Sequence, residues 1–141
     1  MAKRKYDDEL HKTMLKDLMS AYREVAVYCT TQAMAWDETV KHPAPRYYVS
    51  AAWARHIIAP MLVGDYSKLN KLSQRRRRLY VSLYHKVIEA SNKVEYRKMS
   101  LNKLLPHVIN TPAPEFFISS YMCRTYFHQY RKQENETKGI R

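Results

Sequence analysis

Arg75-Arg76-Arg77-Arg78 is the densest run of one chemistry in the chain. A guanidinium is a planar fork of N–H donors that matches two phosphate or carboxylate oxygens at once and stays charged at any physiological pH. Lys68, Lys71 and Lys132 can join the run as point charges, and Arg46, Arg55 and His56 form a second basic group upstream. Ser73 precedes the run and is a good helix N-cap, so the arginines fall on the first turns of the helix it starts. Cations there oppose the helix dipole by roughly 0.3–1 kcal/mol each. A cost that folding does not require points to an external anion; the competing reading is a solvated helix face.

Other site chemistry is missing from the chain. There is no nucleophile elbow, phosphate loop, zincin His-Glu-x-x-His or paired-cysteine motif. The six histidines, at 11, 42, 56, 85, 107 and 128, include no i, i+4 pair. Cys29 and Cys123 form neither a disulfide framework nor a metal spacing, and read as reduced thiols of a cytoplasmic protein. The expectation is a protein without enzymatic activity, cofactor or metal.

Charge is the dominant bulk property. Over 141 residues, 25 Lys and Arg face 13 Asp and Glu, leaving +12, while 45% hydrophobic residues suffice for a core. Such an excess suits DNA, RNA or another anionic surface. Two glycines in the whole chain argue against hairpins and phosphate loops and leave helix as the default. No apolar run is long enough to span a membrane, and Met1–Lys5 lacks the apolar core of a signal peptide.

The elements that would position the basic groups are organised by a repeat. Pro43-Ala44-Pro45-Arg46-Tyr47-Tyr48-Val49-Ser50 matches Pro112-Ala113-Pro114-Glu115-Phe116-Phe117-Ile118-Ser119, and the match extends from Arg55 to Arg124. A period this long is the mark of a duplicated supersecondary unit. In each copy the prolines stop an incoming helix, two aromatics seek burial, an apolar residue can staple the entry, and Ser50 or Ser119 caps the next helix.

Apolar residues at three- and four-residue steps place a long helix over about 7–29 and a short one after Thr30 and Thr31. A third, strongly apolar helix follows Ser50, with Trp53 on its apolar side and Arg55 and His56 on its polar side, ending near Pro60 to Gly64. The second half replays this order. A helix runs from Ser73 to about Lys98, a short one carries Leu101, Leu104, Leu105, Val108 and Ile109 with Pro106 kinking it or delaying its start, and a last helix covers about 120–132.

The expected fold is therefore all-α, a duplicated three-helix unit (long helix, short helix, Pro-aromatic corner, helix) packed as one helical bundle. Its parts are a basic arm at 1–6, a first repeat at 7–64, a second at 65–132 and a polar, unordered tail at 133–141. A helix-turn-helix reading competes, but these corners are longer than its three- or four-residue turn and carry no glycine. Of the 12 tyrosines, those on helix stripes and in corners read as core. Tyr66, Tyr96 and Tyr130 fit no stripe and are candidates for stacking on unpaired bases.

The duplicated "PAPRYYVS" and "PAPEFFIS", each followed by a helix, resembles a group of small basic proteins of gut bacteria and their phages, for which no activity is established. The likeness covers both corners and their flanking helices, about half the chain. It implies a bacterial or phage setting, in cytoplasm or virion, and supplies no catalytic residue.

Together these readings point to a nucleic-acid-binding accessory protein that holds phosphate backbone through Arg75, Arg76, Arg77, Arg78, Lys68, Lys71, Arg46, Arg55 and His56. Glu115 replaces Arg46 in the second corner, so only the first corner suits a polyanion. The alternative is a structural or protein-interaction component, such as a phage particle component or helical adaptor, with a protein partner or self-assembly in place of nucleic acid.

Overall fold

The computed structural model describes residues 5–138, so the first four residues of the expected basic arm lie outside it. The described chain is all-α: α1 Lys5–Ala26, α2 Gln32–Lys41, α3 Ala51–Leu62, α4 Ser67–Asn70, α5 Gln74–Ser91, α6 Leu101–Ile109 and α7 Ser120–Lys138, with a 3₁₀ turn at Val94–Tyr96. The capping residues sit where their chemistry requires. Thr31, Ser50 and Ser73 accept the backbone N–H of Met34, Trp53 and Arg76, and Ser119 accepts that of Met122.

Helix starts keep the spacing of the sequence match. Gln32 and Leu101, and Ala51 and Ser120, each stand 69 positions apart. Burial follows the same register: Met14 and Leu83, Leu18 and Val87, Ala35 and Leu104, Tyr47 and Phe116, and Val49 and Ile118 are all buried. The register breaks in the backbone at Phe117, whose φ of 59° makes it the one described non-glycine residue in the left-handed region. A bulky residue there is strained, and its burial in the second corner opposes that strain.

The compact units are not the two expected halves. One unit is Met1–Ala44 with Pro114–Arg141, and the other is Pro45–Ala113. In the first, α1, α2 and α7 pack on one another; in the second, α3 packs on α5 and α6, with α4 bridging α3 and α5. Each unit thus holds the long and short helices of one half and the third helix of the other. The expected repeat boundary between 64 and 65 falls inside the second unit, and both unit boundaries fall in the Pro-Ala-Pro corners, where the prolines follow the ends of α2 and α6.

Three further expectations change. The helix from Ser73 stops at Ser91 rather than near Lys98, and Val94 beyond it is 82% exposed. The tail is helical through Lys138, because α7 continues well past 132. Pro106 neither delays nor ends α6, which runs Leu101–Ile109 through it, with Asn110 Nδ2 donating to the Pro106 carbonyl.

The Pro45–Ala113 unit is pinned at both ends of α3. Ahead of it, Tyr47 is buried, its N–H donates to the Ile109 carbonyl at 2.9 Å, and its hydroxyl meets that of Ser82 on α5 at 2.7 Å. Behind it, Gly64 at φ +85° closes the helix: its N–H reaches the Met61 carbonyl while the Asp65 N–H reaches that of Pro60. This pair of bonds is a Schellman motif, and its left-handed residue is where glycine is needed.

Candidate nucleic-acid interface

Charge divides unequally between the units. From 45 to 113 there are 13 Lys and Arg against three acids, Asp65, Glu89 and Glu95, a balance of +10. The remaining sequence carries 12 Lys and Arg against ten Asp and Glu, or +2. The basic character of the chain is therefore that of one compact unit, and the nine residues expected to hold phosphate lie on it. Lys132 lies on the other unit.

The arginine run occupies the first turns of α5, directly after the Ser73 cap. Arg76, Arg77 and Arg78 are exposed and Arg75 is half-buried. Arg76 also reaches Tyr80 one turn on. Burial pushes the Tyr80 phenol up to about 12, and the neighbouring Arg76 charge and hydrogen bond oppose that rise. Asp65 is the one acid between 45 and 88, against nine Lys and Arg. Its Oδ1 accepts the Ser67 N–H at 3.0 Å, which holds its carboxyl below the usual range, and the nearby Lys68 charge adds to this.

Helices α3 and α4 bring a second basic group together. Lys68 Nζ stands 3.4 Å from His56 Nδ1, and Arg55 on α3 and Lys71 just past the end of α4 are exposed. The His56 ring stacks on Trp53 with centroids 4.8 Å apart and planes 27° from parallel. Trp53 is 43% exposed. Its expected place on the apolar side of α3 is thus corrected: Ala54, Ile57, Ile58 and Met61 form the buried side, and Trp53 stands with the polar residues.

Arg46 is engaged within the corner. It is half-buried, its Nε donates to the Tyr47 carbonyl at 3.0 Å, and its guanidinium carbon sits 5.8 Å from the centre of the Tyr48 ring. These contacts give it a structural part in shaping the turn.

Sequence reasoning missed the basic residues after α5. Arg97, Lys98 and Lys103 line an open cleft of ≈ 600 Å³ with Glu95, Met99 and Ser100, and Lys86, Lys93 and His107 line another of ≈ 300 Å³ with Glu89 and Tyr96. Arg97, Lys98 and Lys103 already lie close together in the sequence, whereas Lys86, Lys93 and His107 are brought together by the packing of α5 and α6. Among the tyrosines expected to stack on bases, Tyr66 is 45% exposed, whereas Tyr96 is half-buried 5.8 Å from the His107 ring and Tyr130 is half-buried on the other unit.

Among the described residues no helix is long and apolar enough to cross a membrane, and no group of three or more His, Cys, Asp or Glu could hold a metal ion. Comparison with protein families, curated proteins and solved structures finds no match to the chain.

Proposed function

We propose that the chain is a nucleic-acid-binding accessory protein, without catalysis of its own, that holds phosphate backbone through the Pro45–Ala113 unit. The supporting observation is the segregation of charge, +10 on that unit against +2 on the rest. A protein made basic only for solubility has no reason to concentrate its cations this way, whereas a polyanion-binding face requires it. The exposed arginines at the start of α5, with Arg55 on α3, Lys68 on α4 and Lys71 just after it, are its main contacts. Arg46 supports the corner instead. In the bacterial or phage setting implied by the resemblance, such a protein works in the cytoplasm or in a virion.

The test is a salt titration of binding to a short DNA or RNA. Affinity falls steeply with salt, with a slope of about 0.9 per phosphate neutralised on duplex DNA. Replacing Arg75–Arg78 together by Ser lowers affinity and flattens that slope by about 3.6 on duplex DNA if each arginine holds a phosphate. An unchanged slope in a folded variant identifies the run as a solvated face.

A structural or protein-interaction role is the second reading, and one observation favours it. Val27, Tyr28 and Tyr121 are 84%, 68% and 76% exposed on the near-neutral unit, large side chains open to a protein contact. That role predicts an oligomer that survives nuclease and high salt.

A further inference from the structure

We propose that the nucleic acid taken by the Pro45–Ala113 unit is single-stranded where it meets α3, with Trp53, stacked on His56 and braced by Lys68, serving as the shelf for one unpaired base. This rests on the phosphate-binding reading above and adds the form of the strand to it.

Trp53 is a large apolar side chain left 43% exposed on a helix whose other face buries Ala54, Ile57, Ile58 and Met61. Its ring is nonetheless held. His56, one turn on, stacks against it at 4.8 Å, and the Lys68 ammonium on α4 donates to His56 Nδ1 at 3.4 Å. Two helices thus fix the orientation of an exposed indole, and a ring already immobilised loses little entropy when something stacks on it. Tyr66, 45% exposed at the start of α4, adds a second ring close in sequence to Lys68.

The surroundings select the occupant. Nine Lys and Arg and one acid between residues 45 and 88 favour a polyanion over an apolar peptide, so the ring serves the apolar part of a ligand whose remainder is anionic. A nucleotide has that composition. In a duplex the base faces are hidden in the stack, whereas in a single strand they are free to lie on an aromatic ring. Base–aromatic stacking tolerates any sequence.

The test compares the full-length protein with Trp53→Ala and Trp53→Tyr. Binding is measured to oligo-dT, oligo-U and a DNA duplex of the same length, at two salt concentrations. Expected is a loss of about 5- to 150-fold by Trp53→Ala on whichever single strand binds, from the usual range for one stacked base. Duplex binding changes less than about twofold, the salt slope stays unchanged because no cation is removed, and Trp53→Tyr recovers most of the loss. Single-strand binding by Trp53→Ala equal to that of the parent, or an equal loss on duplex, overturns the shelf while leaving the phosphate-binding reading intact. If none of the three ligands shows salt-sensitive binding, both readings fall. In that case a loss of self-association in Trp53→Ala assigns the exposed indole to a protein contact.

Discussion

The Tyr47 and Ser82 hydroxyls stand 2.7 Å apart, tying the first Pro-aromatic corner to the middle of α5. Tyr47 is only 1% exposed, so its hydroxyl has little recourse to water, and burial pushes its phenol above the ordinary value despite the Ser82 bond. The ring holds the corner by burial and the hydroxyl by this bond. Tyr47→Phe keeps the first and removes the second, with an expected loss of about 0.5–1.5 kcal/mol. Urea denaturation of Tyr47→Phe, Ser82→Ala and the double variant checks it. If the bond matters, the double variant loses clearly less than the sum of the singles.

Equivalent capping positions should differ in weight. Thr31 accepts the Met34 N–H at 3.1 Å, whereas Ser100, 69 positions later, makes no side-chain capping bond to α6. Thr31→Ala is expected to cost about 1 kcal/mol, and Ser100→Ala close to nothing. Ser50→Ala should resemble Thr31→Ala, because Ser50 accepts the Trp53 N–H at 3.1 Å. Thermal melts of the three variants order them directly. A Ser100→Ala loss equal to that of Thr31→Ala counts against the capping assignment.

Cys123 and Tyr80 make the fold sensitive to alkali. Burial raises the Cys123 thiol from 9.0 to about 12, with the Asp37 charge adding to the shift, and raises Tyr80 from 10.0 to about 12. As pH climbs, the unfolded chain releases these protons first, so stability is intact below about 9 and drains away between about 9 and 12. The tyrosine alone accounts for an amount on the order of 2–3 kcal/mol. Tyr80→Phe should flatten the loss between pH 10 and 12 in denaturation measured across that range. A fold indifferent to pH up to 12 rules out the burial assigned to both groups.

The same burial separates the two thiols. The thiolate is the reactive form, and Cys123 is 1% exposed with its ionisation suppressed, whereas Cys29 is half-buried. An alkylating or disulfide-exchange reagent at neutral pH should modify one thiol quickly in the native protein and the second only after unfolding. Cys29→Ser should abolish the quick phase. Rapid loss of both thiols would mean that α7 opens readily at Cys123.

Local structure was largely legible in the sequence. The caps at Thr31, Ser50, Ser73 and Ser119 and the burial of Tyr47 and Phe116 follow from side-chain chemistry acting within a few residues. The end of α5 was not, because Val94 continues the apolar spacing while standing 82% exposed. Nor was Trp53: an indole on an apolar helix reads as core until its stacking on His56 and its exposure are seen. The basic residues of the site were legible as charge. Their membership of one unit depends on which helices pack together, and periodicity marks an apolar face without naming the helix that covers it. Arg46 and Glu115 show the same limit, since Arg46 bonds to its own corner.

Cutting the chain between Gly64 and Asp65 tests that exchange of partners. The first fragment then carries α1, α2 and α3, and the second carries α4 to α7. Because α3 packs with α5 and α6 while α7 packs with α1 and α2, each compact unit is built from both fragments. Separation would bare the buried face of α3, Ala54, Ile57, Ile58 and Met61, together with Cys123 and Phe127 on α7. Exposing large apolar side chains costs roughly 1.5–3 kcal/mol each, far more than a loop insertion does. With a protease site inserted after Gly64, the nicked protein should elute as one species under native conditions and divide in two only in concentrated guanidinium. Halves that part under native conditions and each keep their helical signal would restore 7–64 and 65–132 as the folding units, and would remove the physical basis for a single basic unit formed by α3 to α6.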